Sequence, residues 1–230
     1  MIRFIIGVIL FLGDLDVGRA RKLNSDWKDG LLFLGNQLAL DFVNTRPLQD
    51  RQAVELLPDF NAVLRWFQAA DLLTAQQARN FQQQWENSSQ AKQTVESLRA
   101  LRERLRNEIL AWEAGGKLHP TALEELNRLM AEHPMSTRLT TAAKGLKTQL
   151  YFEPRQPQDL LAPLAHSAAE LFANVDRRRV RKCAHCVLHF HDTSKKGTRR
   201  WCSMQLCGNR EKVAAYAARQ RRQRRRARKS

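Results

Sequence analysis

Cys183, Cys186, Cys202 and Cys207 are the only cysteines of the chain, and they follow the spacing C-x2-C-x15-C-x4-C. Two close thiol pairs at that separation suit one tetrahedral Zn²⁺. A C-x2-C turn lets both sulfurs converge on the ion at about 2.3 Å, with backbone amides of the turn donating to the thiolates. Four thiolates close the coordination shell, and Asp192 is the only carboxylate between the pairs. Catalytic zinc needs an open position and a general base, so the expected role is one structural zinc. Two disulfides would serve a small secreted domain, whereas this chain is long enough to bury a core without them. A redox C-x2-C normally sits after a strand and opens a helix, but here a basic run precedes it. His185, His189 and His191 could replace a thiol; they read better as exposed or half-exposed positions on the knuckle and the following strand. Oxidation that ejects zinc would use the same thiols as a stress sensor.

Positioning four sulfurs demands particular elements. The spacer "VLHFHDTSKKGTRRWC" contains two short β-like runs around Lys195-Lys196-Gly197, so a hairpin there would return Cys202 to Cys186. Cys207 then opens a helix, "CGNREKVAAYAARQRR", whose N-terminus favours a thiolate. Knuckle, hairpin and helix make a treble-clef-like zinc finger followed by a basic helix. Val213, Tyr216 and Ala217 share a face of that helix and are expected to pack on the hairpin or Trp201. Asn209 falls in the cap region, and Arg210 near the cluster.

Charge separates this module from the rest. The chain carries +16, yet residues 177–230 hold 19 Lys/Arg against Asp192 and Glu211, leaving residues 1–176 at −1. Four thiolates around Zn²⁺ leave a net −2, so the loaded tail is nearer +15. A polyanion is the partner this asymmetry implies, nucleic acid first and duplex DNA among nucleic acids. Arg219, Arg221, Arg222, Arg224, Arg225, Arg226 and Arg228 are the phosphate-contacting candidates. Beyond Ala218 the basic run presents no packed face, and it is expected to order on nucleic acid. No side chain stands out for reading bases. A zinc-stabilised module bound to RNA or to protein, with no operator, satisfies the same features.

Upstream, the pattern is mainly helical. Phe60, Val63, Leu64 and Phe67 recur at one-face spacing, as do Val95, Leu98, Leu101, Leu105, Ile109 and Leu110 in a longer helix ended by Gly115-Gly116. Thr74 is a plausible N-cap, and Thr121 with Glu124 has capping-box spacing. "MSTRLTTAAKGLKTQLYFEP" alternates around Lys144-Gly145 as a β-hairpin, and "QPQDLLAPLAHSAAELFANVD" returns to helix. The fold class is therefore mainly α with a small β-hairpin (α+β). Three parts follow: an N-terminal extension over 1–30, a helical body over 31–176, and the zinc module over 177–230. Asp41, Asn44 and Thr45 form the one polar cluster of the body that suggests a site. As turn or cap residues beside Phe42 and Val43 they read as structural, and no enzyme is expected.

The apolar run Phe4–Gly13 is too short to span a bilayer, though its length suits a signal-peptide core. A compact thiol cluster instead suits a reducing, cytoplasmic setting. The first residues read as an extension or an upstream start codon, and no membrane partner is expected.

"FHDTS" followed by "RRWCSMQLCGNREK" closely resembles the zinc finger named for its C-G-N-R signature, here Cys207-Gly208-Asn209-Arg210. "FLGNQLALDFVNT" resembles the opening of the ABATE domain, which precedes that finger in bacterial proteins regarded as stress-induced transcription regulators. The resemblance covers about Leu32 to Arg222; His191 stands where a more apolar residue is expected, and the first 28 or so residues have no counterpart. It implies Cys183, Cys186, Cys202 and Cys207 as zinc ligands and a regulator as the class of function. The closed zinc motif and the charge split add the expectation that the module binds DNA while the body senses or dimerises.

Overall fold

The computed structural model describes residues 27–28, 31–49, 52–142 and 145–227. The apolar run at the start of the chain, and Arg228, lie outside them. Two short antiparallel pairs flank the first helix: β1 (Trp27–Lys28) with β2 (Leu31–Leu32), and β3 (Leu48–Gln49) with β4 (Gln52–Ala53). Between them lies α1 (Leu38–Val43). Four helices follow: α2 (Phe60–Ala69), α3 (Ala75–Trp85), α4 (Ser89–Glu113) and α5 (Pro120–Glu132). A hairpin of β5 (Ser136–Ala142) and β6 (Gly145–Tyr151) and then α6 (Ala162–Asn174) complete the body. The zinc module contributes β7 (Val180–Lys182), β8 (His189–His191) and α7 (Asn209–Ala227).

Local chemistry accounts for the helix boundaries. Asp59 and Ser88 each accept a backbone N–H of the first turn of α2 and α4, and Thr74 with Gln77 forms a full capping box on α3. α5 begins two residues earlier than the Thr121 cap predicts. Pro120 has no N–H and a φ already helical, so it takes the first position and His119 becomes the cap. Val95, Leu98, Leu101, Leu105 and Ile109 of α4 are buried, whereas Leu110 is exposed at the edge of the stripe.

The body core centres on Trp66, fully buried, with Phe33, Phe42 and Phe67 around it at centroid distances of 5.8, 5.8 and 5.4 Å. Arg102 is 1% exposed; its guanidinium donates to Glu55 (2.7 Å) and to Thr45 Oγ1 (3.0 Å). A second, smaller core gathers Leu32, Leu34, Leu188 and Phe190 with Cys183, Cys202 and Cys207. The two cores meet along residues 31–34. Leu31 and Phe33 enter the first, Leu32 and Leu34 the second, as the period of two of an extended chain requires. Residues 31–34 are thus wedged between body and zinc module.

Candidate metal centre and nucleic-acid interface

Two strands and a helical turn assemble the thiols. β7 pairs with β8, Val180 opposite His191 and Lys182 opposite His189, so the knuckle Cys183–Cys186 is the loop between them. The expected hairpin around Lys195–Gly197 is therefore displaced: β8 takes its partner upstream. The chain after β8 returns through a loop instead. Asp192, fully buried, accepts from the N–H groups of Ser194 (2.9 Å) and Arg199 (2.8 Å), and the Arg200 carbonyl accepts from Ala184 N–H (2.9 Å). That last bond sets Cys202 beside the knuckle.

Cys207 lies in a single π-helical turn, Met204–Gly208, that runs directly into α7. Ser203 caps this turn through its hydroxyl, which accepts from Gln205 and Leu206 N–H (3.2 and 3.4 Å). The cap therefore falls six residues before Asn209, which is already helical.

The four sulfurs lie within 4.8 Å of one another, and Sγ of Cys202 is 3.6 Å from those of Cys186 and Cys207. Sulfurs at about 2.3 Å from one tetrahedral ion are about 3.8 Å apart, so the donor set fits zinc. Its electrostatics point the same way. Hydrogen bonds from Cys186 and Cys202 push the Cys183 thiol far down, helped by the Cys202 N–H at 3.3 Å. The bond to Cys183 pushes Cys186 and Cys202 up, and burial raises Cys207. Without a cation only one sulfur carries charge easily; a divalent ion removes that conflict.

Of the three histidines, His185 is exposed and its Nδ1 lies 2.6 Å from Glu211 Oε1, tying the knuckle to the first turn of α7. His189 departs from expectation: it is 1% exposed. Burial, then Arg106 and Lys182, lower its pKa to about 4, and neither ring nitrogen has a hydrogen-bond partner.

Asp41, Asn44 and Thr45 are all buried and engaged. Asp41 accepts from Gly35 N–H (2.7 Å), while Asn44 bonds both backbone groups of His189 at 2.8 Å. Thr45 bonds the Phe42 carbonyl (2.7 Å). A Cβ on Gly35 would stand 2.7 Å from Leu40 Cβ and 2.8 Å from Asp41 N, so only glycine lets the chain pass here. Gly35 and Asn36 also bond the backbone of His191, at 2.7 and 2.9 Å. The segment "GNQLALDFVNT" is a seat for β8.

Residues 36–175 match the ABATE family, described as "Putative stress-induced transcription regulator", over more than half of the chain. The chain belongs to the ABATE family. Residues 179–220 of this ABATE protein match the CGNR zinc finger. No curated protein matches it. Among the described residues of this ABATE chain, no helix is long and apolar enough to cross a membrane.

Its α7 leaves the thiol cluster as a 19-residue helix. Arg219, Arg221, Arg222 and Arg224 are exposed on it; Arg225 and Arg226 occupy its last turn. Val213 and Tyr216 do not pack on the hairpin or Trp201: they are 69% and 59% exposed. Trp201 is covered instead by the guanidinium of Arg200, 5.3 Å above its ring.

Proposed function

We propose that this chain is a bacterial, cytoplasmic, non-enzymatic transcription regulator that binds duplex DNA through its zinc-stabilised C-terminal module. Cys183, Cys186, Cys202 and Cys207 hold one Zn²⁺, which fixes the knuckle, the return loop and the start of α7 as one unit. α7 is the observation that carries the reading. It bears eight Lys/Arg against one Glu and packs mainly on the turn that contains Cys207. A helix of net +7 with so little support inside its own chain is built to be completed by a polyanion. Arg219, Arg221, Arg222, Arg224, Arg225, Arg226 and Arg228 are the candidates for the phosphate contacts.

The body adds a route to a homodimer. Leu139 and Leu146 lie on one face of the β5–β6 ribbon, 65% and 68% exposed, and each strand has one open edge. Sedimentation of the wild type beside Leu139→Lys tests that part.

Binding of the zinc-loaded chain to a duplex, in competition with single-stranded and structured RNA, tests the main reading. Duplex preference, with an affinity falling by a salt slope of up to about −6 for seven arginines, supports it. A chain truncated after Ala218 then loses the affinity. Unchanged binding by that truncation, or preference for RNA, would overturn it.

A further inference from the structure

The arginines of α7 conceal a second pattern. Val213, Tyr216, Gln220 and Gln223 are spaced three, four and three residues apart. At 3.6 residues per turn they fall within an arc of about 80° on one side of the helix. No Lys, Arg, Asp or Glu lies inside that arc. Lys212 and Arg219 border it on one side, Arg224 and Arg221 on the other, and Arg222 occupies the opposite face. Val213, Tyr216 and Gln223 are exposed and Gln220 is half-exposed. The stripe is uncharged, continuous and open to solvent, with cations along both margins.

We infer that this stripe is the base-reading surface of the protein, laid on the floor of the DNA major groove while the marginal arginines reach the phosphates of both walls. The inference rests on the duplex-binding reading above and adds the residues that read sequence. Charge complementarity selects the occupant. The major groove, about 12 Å wide, admits one α-helix and lines it with phosphates on either side of an uncharged floor. A helix with cations on both margins of an uncharged strip is the matching shape. A second α7 matches it less well: two helices of net +7 would be brought together over a seam containing Gln220 and Gln223, polar residues that weaken such a seam.

The residue types fit the task. Glutamine pairs in bidentate fashion with the N6 and N7 edge of adenine, and Val213 and Tyr216 offer apolar contact to thymine methyl groups. Gln220 and Gln223 are three residues apart, a rise of about 4.5 Å, which places them over adjacent base pairs. From Val213 to Gln223 the stripe is about 15 Å long, enough for about four base pairs at 3.4 Å each.

The test is selection of the full-length, zinc-loaded chain on a randomised duplex library at about 150 mM salt, a concentration at which nonspecific phosphate binding is already weakened. The wild type is expected to enrich a motif of about four base pairs containing adenine at adjacent positions. Gln220→Ala with Gln223→Ala should reduce that preference about tenfold or more, while leaving affinity for random duplex and the salt slope unchanged. Arg224→Gln should weaken all sequences alike and reduce the slope by about 1, with Arg222→Gln affecting it least. These side chains are exposed, or in the case of Gln220 half-exposed, so the variants leave the fold intact. A motif that survives the double glutamine variant, or a wild type that binds duplex with no motif, would overturn the inference while leaving duplex binding standing. Conversion of a dimer to a monomer by Val213→Asp would assign the stripe to a seam between copies. Absence of any duplex binding would remove the underlying reading, and this inference with it.

Discussion

Asn44, at the end of α1, holds the backbone of His189 by both of its polar groups: Oδ1 accepts the N–H and Nδ2 donates to the carbonyl, each at 2.8 Å. A single amide side chain thus stands where a neighbouring strand would stand, and through it the helical body grips β8 of the zinc module. Both residues are buried, so water cannot replace either bond. Asn44→Ala should cost about 2–5 kcal/mol, the penalty for leaving a buried N–H and a buried C=O unpaired. Chemical denaturation checks the magnitude. Native-state hydrogen exchange checks the place: the amide of His189 should lose protection well before the core of α4. Equal loss everywhere would mean that Asn44 serves the body alone.

His189 itself adds an acid sensitivity. Its pKa is held near 4, below the ordinary 6.5, by burial and by the charges of Arg106 and Lys182. Glu113, 3.6 Å away, favours the proton but is outweighed, and burial raises its own pKa. Because the folded value is depressed, the neutral ring contributes fully above about pH 6.5. That contribution is lost as the pH falls toward about 4, at about 1.4 kcal/mol per pH unit. His189→Phe should flatten this dependence at little cost at neutral pH, since neither ring nitrogen is hydrogen-bonded. An acid slope between pH 6.5 and 4 that persists in the variant would place the titrating group elsewhere.

The Arg102–Glu55 pair makes a different prediction, because here the charge is matched. Glu55 is raised by burial, yet its bonds to Arg102 and the Leu57 amide bring its pKa below the ordinary 4.5. Its share of stability is present above that value and fades as the pH falls through the lowered one. Arg102→Ala strips a buried ion pair of one partner and should cost about 3–5 kcal/mol. Arg102→Met with Glu55→Leu should recover part of that loss, because the charges left without a partner, Glu103 and Arg99, reach solvent. A double-mutant cycle by urea denaturation decides, and additive losses would mean that the two residues act separately.

What the sequence makes legible follows from how local each interaction is. Thiol spacing, helical periodicity and the alternation of β5 and β6 are written within a few residues of themselves. The seat of β8 is not, because Asn44 and His189 are 145 residues apart and nothing in either neighbourhood names the other. "LLFL" at 31–34 does carry a signal: a short unbroken apolar run suits an extended segment buried on both sides. β7 hides inside a run of arginines, which masks its strand character and lets the downstream residues look like the partner of β8. Val213 and Tyr216 look like packing residues by periodicity alone. Only their exposure, and the continuation of the helix to Ala227, exposes the uncharged register they begin.

Removing the metal should uncouple these parts in a definite order. Three of the seven buried side chains of the smaller core are cysteines of the cluster, so little apolar packing remains without a tetrahedral centre. Binding energy at such a site is folding energy, about 10–16 kcal/mol apparent in isolated zinc-finger peptides. A strong chelator should therefore melt residues 181–208 while α2 to α6 persist around Trp66, because the larger core holds none of the four thiols. α7 should follow the finger. Its supports are the turn containing Cys207 and the His185–Glu211 contact, and a helix crowded with like charges is weakened alone. Circular dichroism should lose helicity on the order of the 19 residues of α7, and Trp201 fluorescence should shift toward that of an exposed indole. Phosphate affinity should weaken without vanishing, since the arginines remain. Any preference among duplex sequences should disappear, because it depends on a rigid helix. Retained helicity and retained sequence preference in the metal-free chain would show that the four thiols do not organise α7.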